Sequence, residues 1–249
     1  MQTNKTPIDL SIGYHNIEGI HSATFDCKLP YLASKFIHDI EVLSETWGIC
    51  DHDKNIAGYK LVEIPSQKKS NIKKGRSSGG LLIYYKDYLQ NFVKPCEKTP
   101  YYLWLEIDKN IFFNLQKNIR ICLAYNPPDN STYCNKDIYD EIATNLLKRA
   151  NKQCPIILMG DLNSRTGQLL DYDNQDDEIP GQINFGRTAI PTVRNSCDKQ
   201  NNQMGLKLVD LCQAHDLQII NGRTAGVGIG TNWMSHLKWA KSTKSNDFS

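Results

Sequence analysis

The sequence predicts an α/β (α+β) domain of packed, largely antiparallel sheets flanked by helices, and three observations point there. Short apolar runs of strand length recur along the 249 residues. Several follow one another with no helix between, which implies antiparallel hairpins. Other stretches place apolar residues at helical spacing. One run, Ile156-Ile157-Leu158-Met159, lies between Pro155 and Gly160 without polar alternation, so it reads as a strand covered on both faces.

In chain order, Ile8, Leu10, Ile12 and Tyr14 fall on one face of a half-buried strand that ends in His15-Asn16-Ile17-Glu18-Gly19. Leu29, Leu32, Ala33, Phe36 and Ile37 recur at helical spacing, with Pro30 in a first turn. Ile40 to Leu43 is a short strand running into Ser44-Glu45-Thr46-Trp47. Tyr59 to Ile64, Gly80 to Tyr85, Tyr101 to Ile107 and Ile119 to Tyr125 are further strands, separated by turns rich in Gly, Pro, Asn and Lys. Asn135 caps a helix striped by Ile138, Ile142, Leu146, Leu147 and Ala150, ahead of the strand that closes at Asp161. A late helix carried by Leu206, Val209, Leu211, Cys212 and Ala214 precedes a short strand, Gln218 to Ile220. Gln168 to Asn202 is long and irregular. From Gly222 onward there is neither alternation nor stripe, so residues 1–221 read as the domain and 222–249 as an atypical, poorly ordered tail.

Bulk properties exclude little. With 29 basic and 27 acidic residues and a net charge of +2, any nucleic-acid surface has to be local. The amino terminus lacks a signal-peptide core, and no stretch reaches the roughly 18–20 apolar residues of a membrane span. The expectation is an intracellular protein, nuclear or cytoplasmic and not secreted, of unspecified oligomeric state. The eight cysteines never form a C-x-x-C pair, and Cys122, Cys154 and Cys212 lie in apolar segments, which favours buried reduced thiols.

Four strand ends then converge on one chemistry: Asn16 with Glu18, Glu45, Tyr125 with Asn126, and Asp161 with Asn163. Each offers oxygen or amide groups, with no imidazole or thiolate among them. Hard oxygen ligands select Mg²⁺ or Mn²⁺ over zinc, and a carboxylate beside a neutral donor suits a phosphate with a divalent cation. Blander readings stand beside each. Asp161 and Asn163 form an Asx turn, Glu45 caps the element at Thr46, Tyr125 packs on Pro127, and Glu18 is solvated.

The chain resembles the endonuclease/exonuclease/phosphatase superfamily, which includes apurinic endonucleases and DNase I. The resemblance rests on Gly13-Tyr14-His15-Asn16-Ile17-Glu18-Gly19, Leu43-Ser44-Glu45-Thr46-Trp47, Gly79-Gly80-Leu81-Leu82-Ile83-Tyr84, Leu123-Ala124-Tyr125-Asn126-Pro127-Pro128 and Met159-Gly160-Asp161-Leu162-Asn163. Within the superfamily, the Gly79-Gly80 strand, the Tyr125-Asn126-Pro127-Pro128 turn, Arg165 and Ile220-Asn221-Gly222-Arg223-Thr224 look most like the endonuclease domains of non-LTR retrotransposons and their domesticated relatives. The resemblance implies a four-layer αββα sandwich of two mainly antiparallel sheets and a Mg²⁺-dependent phosphodiester hydrolase acting on DNA. It implies Glu45 as the main metal ligand, with Asn16 binding metal, water or phosphate and Glu18 a further acid. Asp161 would activate the attacking water, Asn163 would hold the phosphate, and Tyr125 would donate to a phosphoryl oxygen. Separately, Lys68, Lys69, Lys73, Lys74 and Arg76 form a basic loop before the Gly79-Gly80 strand, for which a solvated hairpin loop is the simpler account and non-specific contact with DNA phosphates the functional one. Lys73, Lys74, Arg76 and Arg165 are the candidate contacts.

The pattern breaks at the carboxyl end. The family's terminal Ser-Asp-His has no counterpart, since Ser235-His236 lacks the aspartate and Asp247 is followed by Phe248. The expectation is a sandwich with its last strands missing and an activity that is weak or absent. The alternatives are a non-catalytic remnant that binds nucleic acid or protein, and a phosphatase acting on a phosphorylated lipid or inositol. The acidic cluster Asp171, Asp173, Asp176, Asp177 and Glu178 lacks the spacing of a calcium loop and reads as solvated.

Overall fold

The computed structural model describes residues 10–20, 24–48, 52–68, 77–112, 115–148, 154–172, 194–223 and, for the backbone, 235–238. Its strands are β1 (Ile12–Asn16), β2 (Ile40–Ser44), β3 (Tyr59–Ile64), β4 (Leu81–Lys86), β5 (Val93–Lys98), β6 (Tyr102–Ile107), β7 (Ile119–Tyr125), β8 (Ile156–Asp161), β9 (Gln218–Ile219) and β10 (Ser235–Lys238). Its helices are α1 (Phe25–Ala33), α2 (Ile138–Leu147) and α3 (Gln203–Ala214). One sheet has the order β1-β2-β4-β3 and the other β5-β6-β7-β8-β10-β9. Strand pairs joined by a hairpin, such as β6 with β7, are antiparallel. The pairs β1 with β2 and β7 with β8 are parallel, because α1 and α2 carry the chain back between them.

Period-two alternation sorts the side chains into three cores. Along β4, Leu81, Ile83 and Tyr85 enter the layer between the sheets, while Leu82 and Tyr84 pack with Phe25 and Leu29 of α1. Along β7, Ile121, Leu123 and Tyr125 face the inter-sheet layer, while Cys122 and Ala124 pack with Ile142 of α2 and Leu208 of α3. The result is four layers, helix, sheet, sheet, helix, as the resemblance implies.

Several elements depart from the sequence pattern. Helix α1 ends at Ala33, so Phe36 and Ile37 lie beyond it, with Ile37 exposed. The ring of Phe36 instead reaches Tyr59 from a loop, at 5.5 Å between centroids, which mimics helical spacing in the sequence. Pro30 sits inside the helix, past its first turn. Asp137 occupies the N-cap of α2, and Asn135 works two residues earlier, accepting the Asp137 N–H at 3.0 Å and donating to Glu141 at 3.0 Å. Strand β5 gives no clear sequence signal because it is an edge strand with Pro95 in it and an irregular register against β6.

Two further corrections concern the later chain. Asp171 is buried, accepting from both guanidinium nitrogens of buried Arg223 (2.5 and 2.6 Å), whereas the sequence places it in a solvated cluster; residues 173–178 lie outside the described residues. Its partner lies 52 positions away, so spacing gives no warning of it. Strand β10 lies within 222–249, where no strand is expected, and pairs antiparallel with both β8 and β9. Four residues are too few for periodicity to register, and the sheet itself supplies their partners. The other residues of that segment after Arg223 lie outside the described ones. Cys122, Cys154 and Cys212 are buried free thiols, as expected.

Candidate active site

The four strand ends meet at one rim of the sandwich. Alternation places Asn16 on the inner face of β1 with Ile12 and Tyr14, whose phenol donates to the Ala124 carbonyl across the sheets at 2.8 Å. Tyr125 and Asp161 follow inner-face residues Leu123 and Met159 in the same way. Asp161 is drawn close to β7 because Gly160 pairs with Ala124, and a Cβ at Gly160 would run into the Ala124 carbonyl. Only glycine permits that approach.

Glu45 arrives differently. Continued extension past β2 would put it on the outer face beside Leu43. Its φ of 57° breaks the alternation and turns the carboxylate inward. The loop is held on both sides: the Gly19 N–H donates to the Glu45 carbonyl at 2.7 Å, and the Trp47 N–H donates to the Gly79 carbonyl at 3.1 Å. Among the described residues, five non-glycine positions have positive φ, and four of them, Glu18, Glu45, Trp47 and Asn163, belong to these strand-end loops. Left-handed backbone at bulky residues is a strained state that concentrates at functional sites.

Asn16 joins the two carboxylates. Its Nδ2 donates to Glu45 Oε1 at 2.9 Å and to Asp161 Oδ2 at 3.0 Å, while its Oδ1 accepts the Glu18 N–H at 3.1 Å. Tyr125 donates its phenol to the same Glu45 Oε1 at 2.7 Å. Glu45 Oε1 thus takes both donors. Asp161 Oδ1 accepts the Asn163 N–H at 3.1 Å, so the Asx turn and the clustered carboxylate coexist, one on each oxygen. Asn163 has a φ of 49° and donates its amide to the Asn126 carbonyl at 2.9 Å, so the chain leaves the extended strand at this residue.

Burial raises the Asp161 carboxyl above its ordinary value; the hydrogen bonds from Asn16 and Asn163 oppose this, and the Glu45 charge adds to it. Burial, followed by the hydrogen bond to Glu45, pushes the Tyr125 phenol up, so it remains a protonated donor. A shallow cleft opens beside Asp161 and Asn163, with Arg165, Arg194, Asp198 and Asn221 in its walls.

The remaining expected site residues are placed apart from the cluster. Glu18 is exposed at the rim, and its tie to Asn16 runs through its backbone. The guanidinium of Arg165 is engaged by Asp198 through two bonds of 2.6 and 2.8 Å, which partly neutralises it as a phosphate contact. Lys73, Lys74 and Arg76 lie outside the described residues. Sequence reasoning missed Asp198 and Asn202. The latter caps α3 by accepting the Gly205 N–H at 2.7 Å and donates to the Asn163 carbonyl at 2.9 Å, steadying the loop after Asp161. An Asn directly before a helical stripe was the available signal.

Neither a protein-family model nor a curated protein sequence matches this chain. Among solved structures, it is similar to the AP endonuclease LMAP from Leishmania major, at 15% identity over 62% of this chain and 55% of that one, with a TM-score of 0.46. It is similar to the APE2 catalytic domain of Xenopus laevis at 15% identity over 66% and 61% of the two chains, TM-score 0.45. It is also similar to TDP2 from C. elegans at 13% identity over 62% and 48%, TM-score 0.41. The chain spans about half to three fifths of the length of these structures. Among the described residues, no helix is long and apolar enough to cross a membrane.

Proposed function

We propose that the chain is a divalent-metal-dependent phosphodiester hydrolase acting on DNA, an endonuclease of the retrotransposon or apurinic type. The observation that carries this reading is the pair of carboxylates, Glu45 from one sheet and Asp161 from the other, bridged by the single amide of Asn16. Two anionic groups held together by neutral donors in a half-buried rim suit a cation and a phosphate better than they suit each other. The sequence motifs that resemble the endonuclease/exonuclease/phosphatase superfamily fall on these same strand ends, which supports the choice of substrate class.

The donor set fits Mg²⁺ or Mn²⁺. Glu45 Oε2 and the Asn16 carboxamide oxygen are hard ligands, and no thiol or imidazole belongs to the described cluster. When bound there, the ion supplies Lewis-acid polarisation of the scissile phosphate. The rest is done by side chains. Asp161, ionised and oriented by Asn16 and Asn163, accepts the proton of an attacking water. Tyr125 turns its phenol from Glu45 to a phosphoryl oxygen as negative charge grows, and the Asn163 amide holds the phosphate in line. Arg165 and the basic loop with Lys73, Lys74 and Arg76 take the flanking DNA phosphates.

Supercoiled plasmid incubated with the chain and Mg²⁺ tests this, beside Glu45→Gln and Asp161→Asn. Nicking in the wild type that chelator abolishes and both variants lose is the expected result. Because burial raises the Asp161 carboxyl above its ordinary value, the rate should fall on the acid side at a higher pH than a solvated aspartate would give. A folded wild-type chain that nicks nothing would overturn this reading.

A further inference from the structure

A second polar cluster lies on the other face of β1, outside the proposed catalytic rim. His15 points to the outer side, where the parallel register of β1 with β2 sets Gly13 opposite Glu41. Glu41 is completely buried, yet its carboxylate meets two imidazoles, His15 Nε2 at 3.0 Å on Oε2 and His38 Nδ1 at 2.9 Å on Oε1. Among the described residues, this is the one group of three His, Cys, Asp or Glu side chains whose ligand atoms all lie within 4.8 Å of one another.

We propose that His15, His38 and Glu41 form a binding site for a zinc-class transition-metal ion. Two imidazole nitrogens and one carboxylate oxygen are a three-ligand set that zinc completes to a tetrahedron with water, and imidazole disfavours Mg²⁺ and Ca²⁺. The carboxylate is already oriented as a ligand: the Ile37 and His38 N–H groups donate to Oε1 at 2.9 and 2.8 Å, which leaves Oε2 as the coordinating oxygen. Gly13 makes the room, because a Cβ there would collide with both the Glu41 carboxylate and the His38 ring. An ion can enter, since the side chains of His15 and His38 are 43% and 32% exposed while that of Glu41 is 1%. On binding, the ion takes the place of the proton on His15 Nε2 and on His38 Nδ1; a neutral ring carries its proton on the other nitrogen instead, and an imidazolium releases one proton to solvent. The site then clamps the turn before β2 to the residue next to Asn16, fixing the strand end that joins the two catalytic carboxylates.

Zinc titration by calorimetry in excess Mg²⁺ tests this, with Co²⁺ absorption as the spectroscopic readout. One zinc per chain, intense tetrahedral Co²⁺ bands and a rise in Tm of about 5–10 °C at a hundredfold excess over Kd are expected. His38→Ala and His15→Ala should each weaken binding by at least about 100-fold, read for each variant against its own melting curve in chelator because each removes a partner of the buried Glu41 carboxylate. The Glu45→Gln, Asp161→Asn double variant should bind zinc as the wild type does, which separates this site from the catalytic one. Zinc affinity unchanged by His38→Ala, or no binding by the wild type, would overturn the proposal. So would loss of zinc in the catalytic double variant.

Discussion

Replacing Asn16 by alanine removes the one side chain, among the described residues, that donates to both carboxylates. Two N–H donors disappear, at 2.9 Å from Glu45 and 3.0 Å from Asp161. Hydrogen bonds to charged groups contribute about 1.5–3 kcal/mol each; Asn16 is half-exposed, so the lower end applies and the pair is worth about 3 kcal/mol. In a chain of this size that lowers Tm by about 6–12 °C. The loss depends on pH in a definite direction. The folded-state pKa of Asp161 is raised, so its ionisation already costs stability as pH climbs from the ordinary carboxylate range through the raised value. Removing the Asn16 donor raises that value further. The penalty is therefore greatest at neutral and alkaline pH and shrinks as pH falls below the carboxylate range, where Asp161 is protonated in both states. Urea unfolding of Asn16→Ala and wild type across pH measures it. A loss under about 1 kcal/mol, or one that does not change with pH, would refute the bridging geometry.

Three other substitutions probe separate parts of the same argument. Tyr125→Phe deletes the 2.7 Å bond to Glu45 and should cost nicking activity about 10–100-fold with a stability loss near 1 kcal/mol; unaltered plasmid kinetics would remove Tyr125 from the mechanism. Gly160→Ala drives a Cβ into the Ala124 carbonyl between paired strands and should destabilise by about 3 kcal/mol, read as a lowered urea midpoint; a variant as stable as wild type would mean the strands are not this close. Asp171→Ala strands the buried Arg223 guanidinium and should cost about 3–5 kcal/mol, whereas Asp171→Ala with Arg223→Met should cost less than the two single changes added, a cycle that additive losses would contradict.

Most of the fold was legible because its strands are buried in ways that sequence records directly. β3 and β7 coincide with the expected ranges because their sequences run from turn to turn without a breaker. The errors came where a contact distant in sequence imitates or hides a local pattern. Phe36 looks helical because Tyr59 holds its ring. Asp171 looks solvated because Arg223 is far along the chain. β10 has too few residues to show alternation, and its existence depends on β8 and β9 offering unpaired edges.

The site was legible in residue type and not in direction, and the reason is backbone conformation. Asn16, Tyr125 and Asp161 keep the two-residue period of their strands, so their shared inner face follows from the sequence once the strands are assigned. Glu45 and Asn163 leave that period through positive φ, a choice that neither side chain announces and that neighbouring loops impose. Extension would have sent Glu45 to the outer side of β2, the side where Glu41 meets His15 and His38. Positive φ brings it instead to Asn16 and Tyr125. One strand thereby supplies a carboxylate to each of two clusters with different donor chemistry: oxygen and amide inside, imidazole outside. The strain at Glu45 is what keeps them apart. Relaxing it, for instance by a change that frees the Trp47 N–H from Gly79, should lower activity on DNA while leaving zinc binding at His15 and His38 untouched.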